Sequence, residues 1–188
     1  MLGEPDVDLH TSRLHLRALS SSDELLYCGL YTDPHVMRHV AAPLSPEAAK
    51  RAFSAVLEQL AADPPKARYW VLGSHEGLGD LGLMAWVPDP GDAGSAEVGV
   101  VLAAPAACRG YAAEAIAALA NAVFSWPAAR RLWTRHARDN GPAVGLMRKL
   151  GFLPLVADGP SSELRWHLER DAWLDRCAPA FASHPGNC

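Results

Sequence analysis

Residues 97–120 read EVGVVLAAPAACRGYAAEAIAALA, and their pattern changes twice along this run. The first six residues are mostly apolar and rich in valine, as is typical of a buried β-strand. Pro105 ends that strand because proline has no N–H group to donate to a neighbouring strand. From Gly110 onward the run is rich in alanine and favours a helix. The pattern predicts a strand, a connection of small residues and a helix.

The connection between this strand and helix is a candidate phosphate site. The first backbone N–H groups of a helix have no partner within the helix and lie at the positive end of its dipole. Gly110 has no Cβ atom, so a phosphate group can approach the backbone closely there. The run contains neither the Gly-x-x-x-x-Gly-Lys-Ser/Thr pattern of a P-loop nor the Gly-x-Gly-x-x-Gly pattern of a dinucleotide fold. An ordinary strand-to-helix connection is the alternative interpretation.

The composition is typical of one globular domain. The chain has 188 residues, of which 49% are hydrophobic and 20% charged. We expect a single domain over residues 1–188, with a core at 11–173, a flexible leader at 1–8 and a flexible tail at 177–188. A formal net charge of −4 gives no electrostatic footprint for nucleic acid. No apolar run is long enough to cross a membrane, so we expect no membrane partner.

The four cysteines lie far apart and have no Cys-x-x-Cys spacing. The first residues also lack the basic and apolar regions of a signal peptide, so we expect a cytoplasmic protein without a metal. His35 and His39 are four residues apart, but no third metal ligand accompanies them. Cys108 lies in the small-residue connection, where it either fills a glycine-like position or acts as a reactive thiol.

The rest of the chain predicts an α/β fold around one mixed, mostly antiparallel sheet. A capping box between Ser21 and Glu24 starts the first helix. Short glycine-rich turns join the second, third and fourth strands into an antiparallel meander, and the fifth strand pairs in parallel with the fourth across a helix. Strands are expected at residues 13–19, 68–73, 81–87, 96–102, 131–137, 152–156 and 163–168, with a turn at 158–160. Helices are expected at residues 22–31, 34–40, 47–62, 110–124 and between Asn140 and Gly151.

Two segments resemble the GNAT N-acetyltransferase superfamily. Residues 107–112 are similar to its pyrophosphate-binding motif, Arg/Gln-x-x-Gly-x-Gly/Ala, and the run RGYAAEA at 109–115 resembles the RimJ/RimL-like branch. Residues 139–152, DNGPAVGLMRKLGF, resemble the helix that follows strand five in that family. The match departs from the family at four positions. Ala107 replaces arginine or glutamine, and Cys108 replaces a frequent second glycine. On the later helix, Ala143 replaces a serine and Met147 replaces a tyrosine.

The resemblance implies a GNAT fold with about seven strands, of which strands four and five are parallel and splayed apart. It implies transfer of an acetyl group from acetyl-CoA to a primary amine, either a small molecule or a protein N-terminus, by a monomer or homodimer. The pyrophosphate would bind the backbone amides of the loop, and the asparagine would help hold the pantetheine arm. The implied cofactor-binding residues are Val100, Val101, Leu102, Ala107, Cys108, Arg109, Gly110, Tyr111, Ala112 and Asn140.

Glu97 is the candidate general base, because the resemblance places a carboxylate of this kind near the acceptor amine. A solvated strand glutamate is the alternative interpretation. Gly99 permits a β-bulge that would splay the strands, or it reflects close packing alone. The leaving thiolate needs a proton donor, which Ala143 and Met147 cannot supply. Cys108, Tyr111, His136 or water remain as candidates.

A second function stays open on the sequence alone. The departures at Ala107, Ala143 and Met147 are also compatible with a catalytically decayed module that senses coenzyme A or binds a partner. Trp70, Trp86 and Trp133 lie on predicted strands, where they are either core residues or part of an acceptor pocket for an apolar or aromatic amine.

Overall fold

A computed structural model describes residues 8–155 and 162–177 of the chain. None of the helices within these ranges is long and apolar enough to cross a bilayer. The predicted turn at residues 158–160 and the end of the predicted strand at 152–156 lie outside the described residues. The elements in chain order are β1 (Leu9–His10), β2 (Leu14–Ala18), α1 (Glu24–Thr32), α2 (Pro34–Met37), α3 (Pro46–Ala61), β3 (Arg68–Ser74), β4 (Asp80–Asp89), β5 (Asp92–Leu102), α4 (Tyr111–Phe124), β6 (Arg131–Ala137), α5 (Gly141–Leu150), β7 (Leu153–Leu155), β8 (Glu163–Glu169) and α6 (Arg170–Cys177).

These strands form one sheet in the order β1-β2-β3-β4-β5-β6-β8-β7. All neighbouring strands are antiparallel except β5 and β6, which are parallel across the α4 crossover. The predicted mixed sheet of the GNAT fold is therefore confirmed. The described sheet has eight strands because the two residues of β1, which sequence patterning did not predict, pair with β2.

The sheet opens between β5 and β6. The two strands pair only at three positions, from Ser95 with Arg131 to Glu97 with Trp133. Beyond Glu97, β5 stays paired with β4 as far as Leu102, while β6 stays paired with β8 as far as Ala137. In the open region, β5 is thus paired only with β4, and β6 only with β8. The predicted splay of these strands is confirmed.

Gly99 fits neither of the two interpretations that the sequence left open, a β-bulge or close packing. Gly99 pairs with Ala85 in a continuous β4–β5 ladder, whose irregularity lies between Pro88 and Asp89 at the other end. A Cβ atom added at Gly99 would meet no other atom within 4 Å. This glycine therefore leaves open space beside the strand rather than bending it.

Alternate residues of β5 face two different helical layers, because side chains of a strand point to opposite faces in turn. Val98, Val100 and Leu102 belong to the core that packs on α4, α5 and α6. Val101 belongs to the core beneath α1 and α3. Trp70 and Trp86 are both buried in the first core and do not line an open pocket.

The helix caps follow from short polar side chains that precede each helix. Asp33, Ser45 and Asn140 accept hydrogen bonds from the backbone N–H two or three residues later, at 2.7, 3.2 and 3.1 Å. The first capping box is shifted by one residue from its predicted place. The backbone N–H of Ser20, not Ser21, donates to the carboxylate of Asp23 at 2.8 Å. Asp23 is buried, unlike the half-buried Glu24, and Arg17 also binds the Asp23 carboxylate through two nitrogens.

Candidate active site

A cleft of about 800 Å³ passes through the opening between β5 and β6. One end lies against the N-termini of α4 and α5, and the other against α1, α2 and the opposite face of the sheet. The cleft collects residues that are distant in sequence. Among the predicted site residues, those that line it are Glu97, Val100, Val101, Leu102, Ala107, Cys108, Gly110, Ala112 and Asn140.

The backbone of β5 presents free polar groups to this cleft. The N–H of Ala103 donates to Leu81 at 2.8 Å, which shows that odd-numbered residues direct their backbone toward β4. The even-numbered residues Val100 and Leu102 therefore direct their N–H and C=O groups toward the opening. Val101 directs its backbone to β4 and contributes its side chain to the cleft. The backbone N–H and C=O groups of Val100 and Leu102 can therefore form hydrogen bonds with an amide that lies along the strand.

The loop before α4 leaves a run of backbone N–H groups available. The N–H of Ala107 donates to Ala104 at 3.2 Å and is occupied. In the described part of the chain, the N–H groups from Cys108 to Ala112 have no acceptor. Gly110 is the N-cap of α4 with φ of +84° and supplies no side-chain cap. The amides at the positive end of this helix are thus open to an anionic group.

Cys108 adopts φ of +60° and is the one non-glycine residue of the described chain with positive φ. Its side chain is exposed and lines the cleft. An L-residue in the left-handed region places its Cβ close to the backbone, at a cost of roughly 1–2 kcal/mol. Cys108 therefore occupies a position whose backbone conformation suits glycine, as the motif's second glycine would require.

Arg13, which the sequence did not indicate as a site residue, contacts this loop on the side that faces away from the cleft. The Arg13 guanidinium donates to Glu114 at 2.7 Å through Nε and to the carbonyl of Arg109 at 3.1 Å. The Thr11 hydroxyl donates to the same carboxylate at 2.5 Å. Burial alone would raise the pKa of Glu114, but the hydrogen bonds from Thr11 and Arg13 outweigh it and hold that pKa below its usual value.

Tyr111 and Arg109 lie on this rear side of the loop. The Tyr111 side chain is buried, and its hydroxyl donates to Glu76 at 2.8 Å. The guanidinium groups of Arg13 and Arg109 lie 4.6 and 5.6 Å from its ring centroid. Tyr111 can therefore offer a ligand only its backbone N–H, and its hydroxyl is not available as a proton donor in the cleft.

Glu97 marks the point where β5 and β6 separate. Its carboxylate accepts a hydrogen bond from Arg135 Nε at 3.1 Å, and its side chain is 27% exposed. It lies on the sheet face toward α1, where Tyr31 and Tyr69 also line the cleft. Burial raises the pKa of Tyr31 to about 12, and burial and the nearby Glu97 charge raise the pKa of Tyr69. Glu97 thus accepts a hydrogen bond from Arg135 and lines the cleft beside two phenols whose pKa values are raised.

His136 lines the cleft on the β6 side. Its Nδ1 lies 2.8 Å from the carbonyl of Ala137, so a proton on Nδ1 is donated there. Its Nε2 is buried and has no hydrogen-bond partner among residues 8–155 and 162–177. Of the side chains considered for proton transfer to a thiolate, His136 and Cys108 are placed in the cleft.

Asn140 has a structural role that its sequence position already suggests. Its side-chain oxygen accepts from the N–H of Ala143 and caps α5, whose other end stops at Gly151 with φ of +85°. Ala143 and Met147 follow on this helix and line the cleft without any polar hydrogen. Within the two described ranges, no three His, Cys, Asp or Glu side chains are grouped as a metal site.

Solved structures with the same fold are acetyltransferases. The spermidine N-acetyltransferase from Vibrio cholerae, in complex with CoA and spermine, has a TM-score of 0.71 at 19% identity, over 87% of this chain and 99% of that one. RimL, a ribosomal α-N-protein acetyltransferase in complex with coenzyme A, has a TM-score of 0.71 at 15% identity, over 88% and 99%. An acetyltransferase from Agrobacterium tumefaciens has 0.72 at 21% identity, over 89% and 97%.

At these identities the structural likeness shows the fold. No curated protein sequence matches the chain significantly. The family is shown by a sequence model, because residues 13–153 match the one described as acetyltransferase (GNAT) domain. That match covers most of the chain and includes both the loop before α4 and the α5 helix. The chain therefore belongs to the GNAT acetyltransferase family.

Proposed function

We propose that this protein is an acetyl-CoA-dependent N-acetyltransferase of the RimJ/RimL-like branch, which transfers an acetyl group to a primary amine. The observation that carries the proposal is the opening between β5 and β6. It joins free backbone N–H groups at one end to the carboxylate of Glu97 at the other. A single cleft thus has groups suited to an anionic cofactor and to an amine.

The cofactor end of the cleft fits coenzyme A. The N–H groups from Cys108 to Ala112 are suited to a pyrophosphate at a helix N-terminus. The backbone groups of Val100 and Leu102 are suited to the amides of the pantetheine arm, which can add to β5 as a strand would. Asn140 lies across the cleft from these residues and provides a side-chain amide near the same arm.

The reaction is a direct transfer. Glu97 takes a proton from the incoming ammonium and releases it to solvent, directly or through a water molecule. The neutral nitrogen then bonds to the thioester carbonyl carbon, and the carbon–sulfur bond breaks. The nitrogen loses its second proton as the thiolate leaves. Holding both reactants in one cleft supplies much of the rate enhancement, because the thioester is already reactive.

The leaving thiolate gains one proton to become free coenzyme A. Ala143 and Met147 have no proton to give, and the Tyr111 hydroxyl is bonded to Glu76 away from the cleft. His136 lines the cleft on the β6 side, and its buried Nε2 atom has no hydrogen-bond partner within the described ranges. We propose that this proton comes from solvent water or from His136.

The proposal is tested by measuring coenzyme A binding and acetyl transfer on the same preparation. We expect coenzyme A to raise the melting temperature by roughly 5–10 °C at 100 times its dissociation constant. We expect a set of primary amines to include acceptors that yield one acetylated product per thiol released. The second candidate function is a catalytically decayed coenzyme A sensor, which the absence of hydroxyl groups at Ala143 and Met147 favours. Coenzyme A binding without acetyl transfer to any amine would support that candidate.

Replacing Glu97 with glutamine tests the proposed base. Glutamine keeps the size of the side chain but cannot accept the ammonium proton, so we expect kcat to fall about 100-fold. Coenzyme A binding should be unchanged, because Glu97 lies at the opposite end of the cleft. Glu169→Gln is a matched control, since Glu169 also accepts from an arginine of β6 but lies outside the cleft. Equal rates for Glu97→Gln and wild type would remove Glu97 from the mechanism.

A further inference from the structure

The end of the cleft beyond Glu97 differs in chemistry from the cofactor end. It lies on the sheet face that packs against α1 and α3, where Tyr31, Val36 and Tyr69 flank the second hydrophobic core. These three residues, with Leu83 from β4, form an apolar wall of the cleft. Two of the four are aromatic rings. An acceptor that reaches Glu97 from this side must therefore place its body against rings and aliphatic groups.

Gly99 adds space to this wall. It lies on β5 two residues after Glu97 and so faces the same side of the sheet. Apart from its own atoms and those of its two chain neighbours, no heavy atom lies within 4 Å of the point where its Cβ would be. A side chain here would extend into the cleft beside Tyr69 and Leu83. The absence of one leaves room for an acceptor body wider than a linear chain.

The charges at this end nearly cancel. Arg135 donates to Glu97 at 3.1 Å, and its second nitrogen lies 3.8 Å from Glu163. Among the described residues that line the cleft, and with the histidines left uncounted, the two carboxylates and one guanidinium give a formal net charge of −1. One ammonium group balances that charge. A polyamine or an aminoglycoside would bring several charges into a pocket whose described lining residues offer no carboxylate beyond Glu97 and Glu163 to pair with them, at a large desolvation cost.

We propose that the acceptor is a primary amine with a single positive charge, carried on an apolar body the size of an aromatic ring. The amine lies at Glu97, and the body packs between Tyr31 and Tyr69 in the space beside Gly99. This inference rests on the proposed function and deepens it by naming the acceptor class. A free arylalkylamine and a peptide whose first residue is aromatic share this chemistry.

The test compares acceptors at a fixed acetyl-CoA concentration by thiol release and product mass. The set contains 2-phenylethylamine, ethanolamine, spermidine, kanamycin and two tripeptides that begin with phenylalanine or aspartate. We expect kcat/KM for an aromatic acceptor to exceed that for ethanolamine and spermidine by about tenfold or more, because a buried ring adds favourable transfer energy. The phenylethylamine and tripeptide arms then distinguish a free amine from a peptide N-terminus.

Two variants of Tyr69 test whether its ring causes the preference for an aromatic acceptor. Tyr69→Phe keeps the ring, and we expect it to retain the preference for the aromatic acceptor. Tyr69→Ala removes the ring, and we expect the ratio of aromatic to ethanolamine kcat/KM to fall about tenfold. Using a ratio within each variant cancels any common effect on the chemical step or on the amount of folded enzyme.

The outcomes separate this inference from the proposed function. Preferred acetylation of spermidine or kanamycin would overturn the acceptor class and leave the transferase function standing. An aromatic preference that Tyr69→Ala leaves unchanged would also overturn it. A failure to acetylate any amine in the set, with coenzyme A still bound, would overturn the proposed function and this inference with it.

Discussion

Cys108 holds a backbone conformation that residues with a side chain seldom adopt. Its φ of +60° lies in the left-handed region, and Gly110 two residues later has φ of +84°. These two positions turn the chain so that successive N–H groups point toward the cleft. The loop geometry expected of a glycine-containing motif is thus kept although cysteine replaces one glycine. The replacement costs conformational energy and leaves the backbone amides in place.

Replacing Cys108 with glycine should therefore stabilise the protein. Glycine avoids the roughly 1–2 kcal/mol cost of the left-handed conformation, and its more flexible unfolded state offsets part of that gain. We expect a net increase of up to about 1 kcal/mol in the free energy of unfolding, measured by urea denaturation. Cys108→Ala, which removes the thiol but keeps Cβ, is the control. Equal denaturation midpoints for the two variants would contradict the strain argument.

At the scale of single elements, α5 links folding to the proposed binding of coenzyme A. Asn140 caps this helix through its oxygen and lines the cleft. One residue thus serves helix stability and, in the proposal, the pantetheine arm. Substitutions that separate the two roles are available because several side chains cap helices equally well.

Asn140→Ser keeps a capping oxygen and removes the side-chain amide, whereas Asn140→Ala removes both. We expect the alanine variant to lose about 1 kcal/mol of unfolding free energy and the serine variant to lose little. If the amide contacts coenzyme A, both variants should bind it more weakly, as measured by calorimetry. Normal affinity in the serine variant would restrict Asn140 to its capping role.

The whole molecule is divided at the cleft. β1 to β5 form one part of the sheet and β6 to β8 the other, and three residue pairs join them directly. The helix α4 packs under both parts, since its buried residues share one core with Met84 of β4 and Leu132 of β6. Glu114 ties the start of this helix to Arg13 at the edge of β2. This carboxylate therefore connects the loop, the crossover helix and the sheet.

Glu114 should make the stability of the molecule depend on pH. Its pKa in the folded state lies below the usual 4.5, so its ionised form favours folding. That stabilisation is complete above about pH 4.5 and is lost as the pH falls through the lower folded pKa. We expect Glu114→Gln to lower the free energy of unfolding by about 1–2 kcal/mol at pH 7.

At pH values below the folded pKa of Glu114, the stability difference between wild type and Glu114→Gln should shrink toward zero, because the wild-type carboxylate is then protonated. Urea denaturation at a series of pH values measures this difference. Glu58→Gln, at an exposed position of α3, is the control and should show no comparable pH dependence. A difference that does not shrink as the pH falls from 7 through the acid range would contradict an ionised role for Glu114.

The sequence by itself determined the order of the elements, the helix caps at Ser45 and Asn140, and the parallel strand pair. The order and the caps depend on residues close together in the chain, and the parallel pairing follows from the strand–helix–strand order, so patterning reveals them. The strand β1 was missed because two residues carry no periodicity.

Only the tertiary structure decided how the site is arranged. Arg135 reaches Glu97 from a position 38 residues away, and Tyr111 turns into the core while its loop faces the cleft. The free space at Gly99 likewise depends on what packs around the strand. Contacts between distant segments follow from the packing of the whole sheet and its helices, which no local pattern records.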